Sequence, residues 1–151
     1  MSIPYCVFRN FFLRNTQYGI RKKGKNMAER KLRFLSSDDV KKALSMKQAV
    51  ETMKEAFALL SGKRTITPER LHLETLAHQG ATLFMPSYIP KLRKIGLKVV
   101  SVFENNPASG LPAIQALVIL IDAANGLPLA IIEGASLTAL RTGAASGAAT
   151  D

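Results

Sequence analysis

The sequence predicts an α+β fold: two N-terminal helices, a mixed sheet of four to six strands, and a C-terminal helix rich in alanine and glycine. Three observations predict it. Between Ser36 and Gly62 lie two capped segments with apolar residues at helical spacing. From Arg70 to Gly134 the pattern changes to alternating or continuous apolar runs separated by turn residues. The last stretch, "ASLTALRTGAASGAAT", is dominated by alanine, a strong helix former.

Taken in order, Ser36 or Ser37 caps "DDVKKAL", with acidic residues in the first turn, where the helix dipole favours them. Ser45 and Gln48 form a capping box for "MKQAVETMKEAFALLSG". Met46, Val50, Met53, Phe57 and Leu60 make one stripe along that helix, and Gly62 stops it. "RLHLETLA" sets Leu71, Leu73 and Leu76 against Arg70, His72 and Glu74, a strand with one polar face. "ATLFMPSYI" and "IGLKVVSVF" follow as strands. "AIQALVILID" is nearly all apolar, as in a strand buried on both faces. "DAANG" is a turn, and "LPLAIIEG" is the return strand.

Composition bounds the partners. The net charge of +10 is concentrated at the N-terminus: residues 1–26 carry Arg9, Arg14, Arg21, Lys22, Lys23 and Lys25 and no acid. The remainder holds 15 basic against 11 acidic residues, so nucleic-acid binding would rest on that segment alone and is not expected. The segment lacks periodicity and reads as a basic disordered extension, with an organellar presequence or a nucleic-acid arm as alternatives; Met27 opens the patterned domain, 27–151. Cys6 is the single cysteine, which excludes an internal disulfide. No apolar stretch reaches the roughly 18–20 residues a membrane span needs, and a cytoplasmic protein is expected. His72 and His78 are too few and too poorly spaced for a metal site, so no metal is expected.

Several residues invite a chemical reading. Arg70 and His72 on one strand face are either solvated or part of an anion site, since arginine grips carboxylates with a two-pronged fork. Lys98 interrupts an apolar strand. It is a surface lysine if its face is wet, and a lysine with a partner or a lowered pKa if its face is covered. Residues 103–112, "FENNPASGLP", form a loop of the kind that carries binding groups or merely connects. Arg141 and Thr142 place strong donors in a helix of small side chains, which suits either tight helix packing or close approach of an anion.

The segments "RLHLE", "TLFMPSYIP" and "GLKVVSVFENNPASGLPAIQALVILIDAANGLPLAIIEGASLTALRTGAASGAATD" resemble the N-terminal part of the ornithine cyclodeaminase / mu-crystallin family, from about Lys31 to Asp151. The resemblance implies an NAD(P)-dependent, homodimeric protein whose first domain binds substrate and forms the dimer, and whose second is a Rossmann domain. It implies that Arg70 grips the substrate carboxylate, that Lys98 is the active-site lysine beside it, and that Arg141 and Thr142 contact the cofactor. Ala113 stands where the family often has a threonine near the cofactor, which puts that contact in doubt. The Rossmann domain is absent from these 151 residues, so the expectation is an incomplete domain, inactive alone, with exposed apolar surface on helix 135–150. The implied chemistry is hydride transfer at Cα of a small amino acid or its imine, as in cyclodeamination of ornithine to proline with loss of ammonia. Alanine dehydrogenase and cyclic ketimine reductase chemistry are alternatives within the family, and a non-catalytic module pairing with a full-length homologue is another class.

Overall fold

The structure is a computed structural model and describes residues 32–150. The extension expected over 1–26 lies outside the described residues. The elements are β1 (Arg33–Leu35), α1 (Ser37–Ala43), α2 (Met46–Ser61), β2 (Leu71–Thr75), β3 (Gly80–Ile89), β4 (Lys94–Phe103), β5 (Ile114–Asp122), β6 (Pro128–Glu133) and α3 (Gly134–Thr150). One six-stranded sheet runs in the order β1-β6-β5-β4-β3-β2. Neighbours are antiparallel except β1 and β6, so the sheet is mixed. Among the described residues no helix is long and apolar enough to cross a membrane.

Both helix starts are built as their sequences demand. The Ser36 side chain accepts from the Asp39 amide and the Asp39 carboxylate accepts from Ser36, closing a capping box on α1. Ser45 and Gln48 close the same box on α2. Each such cap is worth about 1 kcal/mol. Gly62 ends α2, but its own φ is −76°; the left-handed conformation falls on Lys63, at φ 51°.

All three helices pack on one face of the sheet. Val40, Leu59 and Leu137 meet Ile89, Val118, Leu120, Ala130 and Ile132 there, and this is the main core. The pairing Gly96–Leu120–Ala130 and Lys98–Val118–Ile132 shows that these residues share a face. Among the described residues no helix packs on the opposite face. On it, Leu97, Val99, Ile119 and Ile131 are only partly buried. At its edges Phe34 is 72%, Leu71 64% and Leu73 57% exposed. Two expectations are therefore corrected. β5 is not buried on both faces, because helices cover only one. β2 has no buried side at all, because it is an edge strand beyond the reach of the helices. Leu76 leaves the alternation altogether and opens a short 3-10 turn, Leu76–His78. β1 went unread in the sequence because three residues are too few to show a period.

The small residues of α3 serve packing. Gly143 lies against Met46 and Gly147 against Val50 of α2, while Ala144 and Ala49 are both fully buried between the two helices. A Cβ on Gly134 would come within 2.7 Å of the Ala116 backbone, so only glycine lets α3 start this close to β5. The exposed apolar surface expected on α3 is thus found instead on the bare sheet face.

Candidate functional site

Lys98 sits mid-way along β4, opposite Met85 on β3 and Val118 on β5. It points to the helix-covered face and is 5% exposed, so the covered-face alternative holds. Burial, and then the charge of Arg141, hold its amine below the ordinary lysine value. Arg141 projects from α3, seven residues after Gly134, and its Nε is buried with no hydrogen-bond partner. Among the described residues the ion pairs Lys41–Asp38, Lys54–Glu51 and Lys94–Asp122 do not involve Lys98 or Arg141. Two neighbouring cations, Lys98 buried and Arg141 half-buried with its Nε shielded, and neither in an ion pair among the described residues, make a place that an anion would stabilise. A guanidinium with a free Nε–H offers half of the fork that carboxylates fit.

Arg70 lies just before β2 and is exposed. It precedes Leu71, which pairs with Phe84, next to Met85, the cross-strand partner of Lys98. The fold brings Lys98 and Arg141 together and leaves Arg70 at the open edge of the sheet. Thr142 is exposed, and its hydroxyl donates to the Thr138 carbonyl at 2.8 Å. Ala113 ends the 103–112 loop, and its carbonyl accepts from the Phe103 amide at 2.8 Å. The loop also lines an open hollow of about 570 Å3 with Ala77, His78 and Gln79. Phe103, on its rim, is five residues along β4 from Lys98. Among the described residues no group of His, Cys, Asp and Glu is placed to hold a metal ion.

Two residues near the site escaped the sequence reading. Met85 is the cross-strand neighbour of Lys98, visible only once the register is known. Glu133 binds the first amides of α3, at 2.6 Å from Ala135 N and 2.9 Å from Ser136 N. Its signal was available: an acid directly before a helix sits where the dipole favours it.

The sequence pattern of the ornithine cyclodeaminase/mu-crystallin family matches residues 30–151. The chain belongs to that family. Among curated members it is 40% identical over 116 residues to a Delta(1)-pyrroline-2-carboxylate reductase of Bacillus cereus, a match covering 77% of this chain and 36% of the relative. Among solved members it is similar to Thermococcus litoralis Delta(1)-pyrroline-2-carboxylate reductase in complex with NADH and L-proline. The TM-score is 0.75 and the identity 41%, over 79% of this chain and 37% of the other. An archaeal alanine dehydrogenase dimer with bound NAD gives 0.71 and 34%, over 77% and 35%. The chain thus spans a little over a third of the length of the family members it matches.

Proposed function

We propose that this chain supplies the substrate-holding part of an NAD(P)-dependent enzyme that moves a hydride to or from Cα of a small amino or imino acid. The observation that carries the reading is buried Lys98 beside half-buried Arg141, whose Nε is shielded and unpartnered, with no ion pair to either among the described residues. An amino or imino acid brings the missing anion as its carboxylate. In this reading Arg70 grips the carboxylate from the sheet edge, and Lys98 holds it from below. Lys98 also keeps positive charge near the reacting carbon, and Arg141 bridges the substrate and cofactor sides. Thr142 and Ala113 face the cofactor, with Ala113 contributing backbone only. The nicotinamide, when bound, supplies or accepts the hydride. The chain's own share is to fix the substrate's orientation and exclude water, which accounts for a large part of barrier lowering in such reactions.

Within the family, reduction of a cyclic imino acid is favoured over cyclodeamination of ornithine. Beside Lys98 on the covered face stand Met85, Val118, Leu83 and Val100, with buried Ser87 the polar neighbour beyond Met85. The acids on that face are remote or engaged: Asp122 pairs with Lys94 at 2.8 Å, and Glu74 lies at the far end of β2. A second ammonium group would find no carboxylate here, whereas a pyrroline ring would find an apolar wall. The experiment is a chimaera in which residues 32–150 replace the matching part of the Bacillus cereus reductase, assayed for NAD(P)H-dependent reduction of Δ1-pyrroline-2-carboxylate.

We also infer a homodimer formed through the bare sheet face. Phe34, Leu71 and Leu73 at its edges and Leu97, Val99 and Ile119 at its centre leave an apolar surface that monomers rarely expose. A related alanine dehydrogenase is a dimer. The 151-residue chain is expected to sediment as a dimer at tens of micromolar, and Phe34→Glu with Leu71→Glu is expected to convert it to a monomer. A monomeric wild type, or a double variant that still dimerises, would remove this assignment.

A further inference from the structure

We infer that Glu133 is a positioning residue for the site: by clamping the first turn of α3 it sets Arg141 against Lys98. The clamp is doubly anchored. One carboxylate oxygen accepts from Ala135 N at 2.6 Å and the other from Ser136 N at 2.9 Å. Both amides belong to the first turn, where helix donors have no partner within the helix. Ser136 is tied in turn to the first residue of α1, its hydroxyl lying 2.6 Å from that of Ser37. Gly134, between clamp and helix, is pressed on the β5 backbone with no room for a Cβ. The start of α3 is therefore fixed in three directions at once: to β6 by Glu133, to β5 by Gly134 and to α1 by Ser136.

Arg141 follows Ser136 by five residues, so its distance from the sheet depends on where that first turn is held. The guanidinium needs such holding. Its Nε is buried and unpartnered, and the charge of Lys98 lies near enough to repel it, so no contact at its own end is seen to keep it in place. A like-charge pair persists only where the surrounding structure imposes it. The carboxylate suits the task. Burial alone would raise its pKa, but the hydrogen bonds from Ser136 and Ala135, with the charge of Lys41, hold it below the usual range, so it stays ionised and accepting. This inference concerns how Arg141 is placed and stands whether or not the pair handles an imino acid.

The test uses the 151-residue chain and two NMR signals. The Arg141 Nε–H should be visible and slow to exchange in the wild type because it is buried. The Lys98 ε-methylene, assigned by its loss in Lys98→Met, reports the titration of the amine. Glu133→Ala is expected to speed Nε–H exchange by at least about tenfold, since fraying of the first turn opens buried groups to water. It is also expected to move the Lys98 midpoint up toward the ordinary lysine value. Glu133→Asp, which keeps a carboxylate able to cap the helix, is expected to restore both signals. Ala149→Gly, which weakens the same helix beyond Arg141, is expected to change neither. Should Glu133→Ala fail to fold, Glu133→Gln replaces it, with both signals moving part-way. The inference is overturned if the Glu133 variants leave both signals at their wild-type values, or if Ala149→Gly moves them as far.

Discussion

In the chimaera with the Bacillus cereus reductase, Lys98→Ala and Arg141→Ala are each expected to lower kcat/KM for the imino acid by about 10- to 150-fold. That is the effect of losing one charge-assisted contact of about 1.5–3 kcal/mol. The two substitutions should differ in how the loss divides. In the proposed reading Lys98 lies beneath the substrate, so its removal should fall mainly on kcat. In the same reading Arg141, on α3, contacts both ligands, so its removal should raise KM for both the imino acid and the cofactor. Arg70→Ala, at the exposed edge, should raise KM for the imino acid and leave that for the cofactor unchanged. Steady-state kinetics with each ligand varied in turn checks all three. Unchanged kinetics in Lys98→Ala would mean that the buried lysine does not touch the substrate.

The same lysine is expected to weaken the fold. Lys98→Met, close in volume and without charge, should stabilise the 151-residue chain at neutral pH by about 1–3 kcal/mol, as replacements of buried charges by apolar residues often do. The sign with pH follows from linkage. The folded state lowers the pKa of Lys98 below its ordinary 10.5, so between those two values the unfolded chain binds more protons. The penalty is fully present below the folded pKa and disappears as pH rises through 10.5. The advantage of Lys98→Met should therefore shrink between neutral pH and about pH 10, where free lysine begins to lose its proton. Urea titrations of both proteins at the two pH values measure it. A Met variant less stable than wild type at neutral pH would show that the amine has a stabilising partner. Together with the kinetics, this describes a position that gives up stability for function.

Much of the fold was legible because its signals are local. The N-cap of α1 and the capping box at Ser45 need only a few neighbouring residues, and the structure has them; the stripe on α2 holds only at its centre, since Met46 and Leu60 are exposed and the buried line runs through Ala49, Thr52, Met53 and Leu59. What was not legible depends on what lies above or beside a strand. β5 and the bare sheet face could not be told from a doubly covered sheet, because an apolar strand looks the same whether its outer face meets a helix, a second molecule or water. Lys98 was ambiguous for the same reason, and the helices over β4 decide it. Arg141 stood out as one cation in a helix of small side chains. Those side chains turned out to seat α3 on α2, leaving the arginine as the group with an unanswered polar atom. Arg70, Lys98 and Arg141 carried family roles from the sequence; the juxtaposition of Lys98 and Arg141 came from strand and helix packing, which is non-local.

The central claim is that the Lys98–Arg141 site takes the carboxylate of a small imino acid within a nicotinamide-dependent enzyme. It is tested most directly by the turnover of the chimaera with two substrates side by side. NAD(P)H-dependent reduction of Δ1-pyrroline-2-carboxylate to proline, with no ammonia released from L-ornithine, is the expected result. Ammonia release from ornithine without reduction of the imino acid, or no turnover of either by a folded, dinucleotide-binding chimaera, would contradict it.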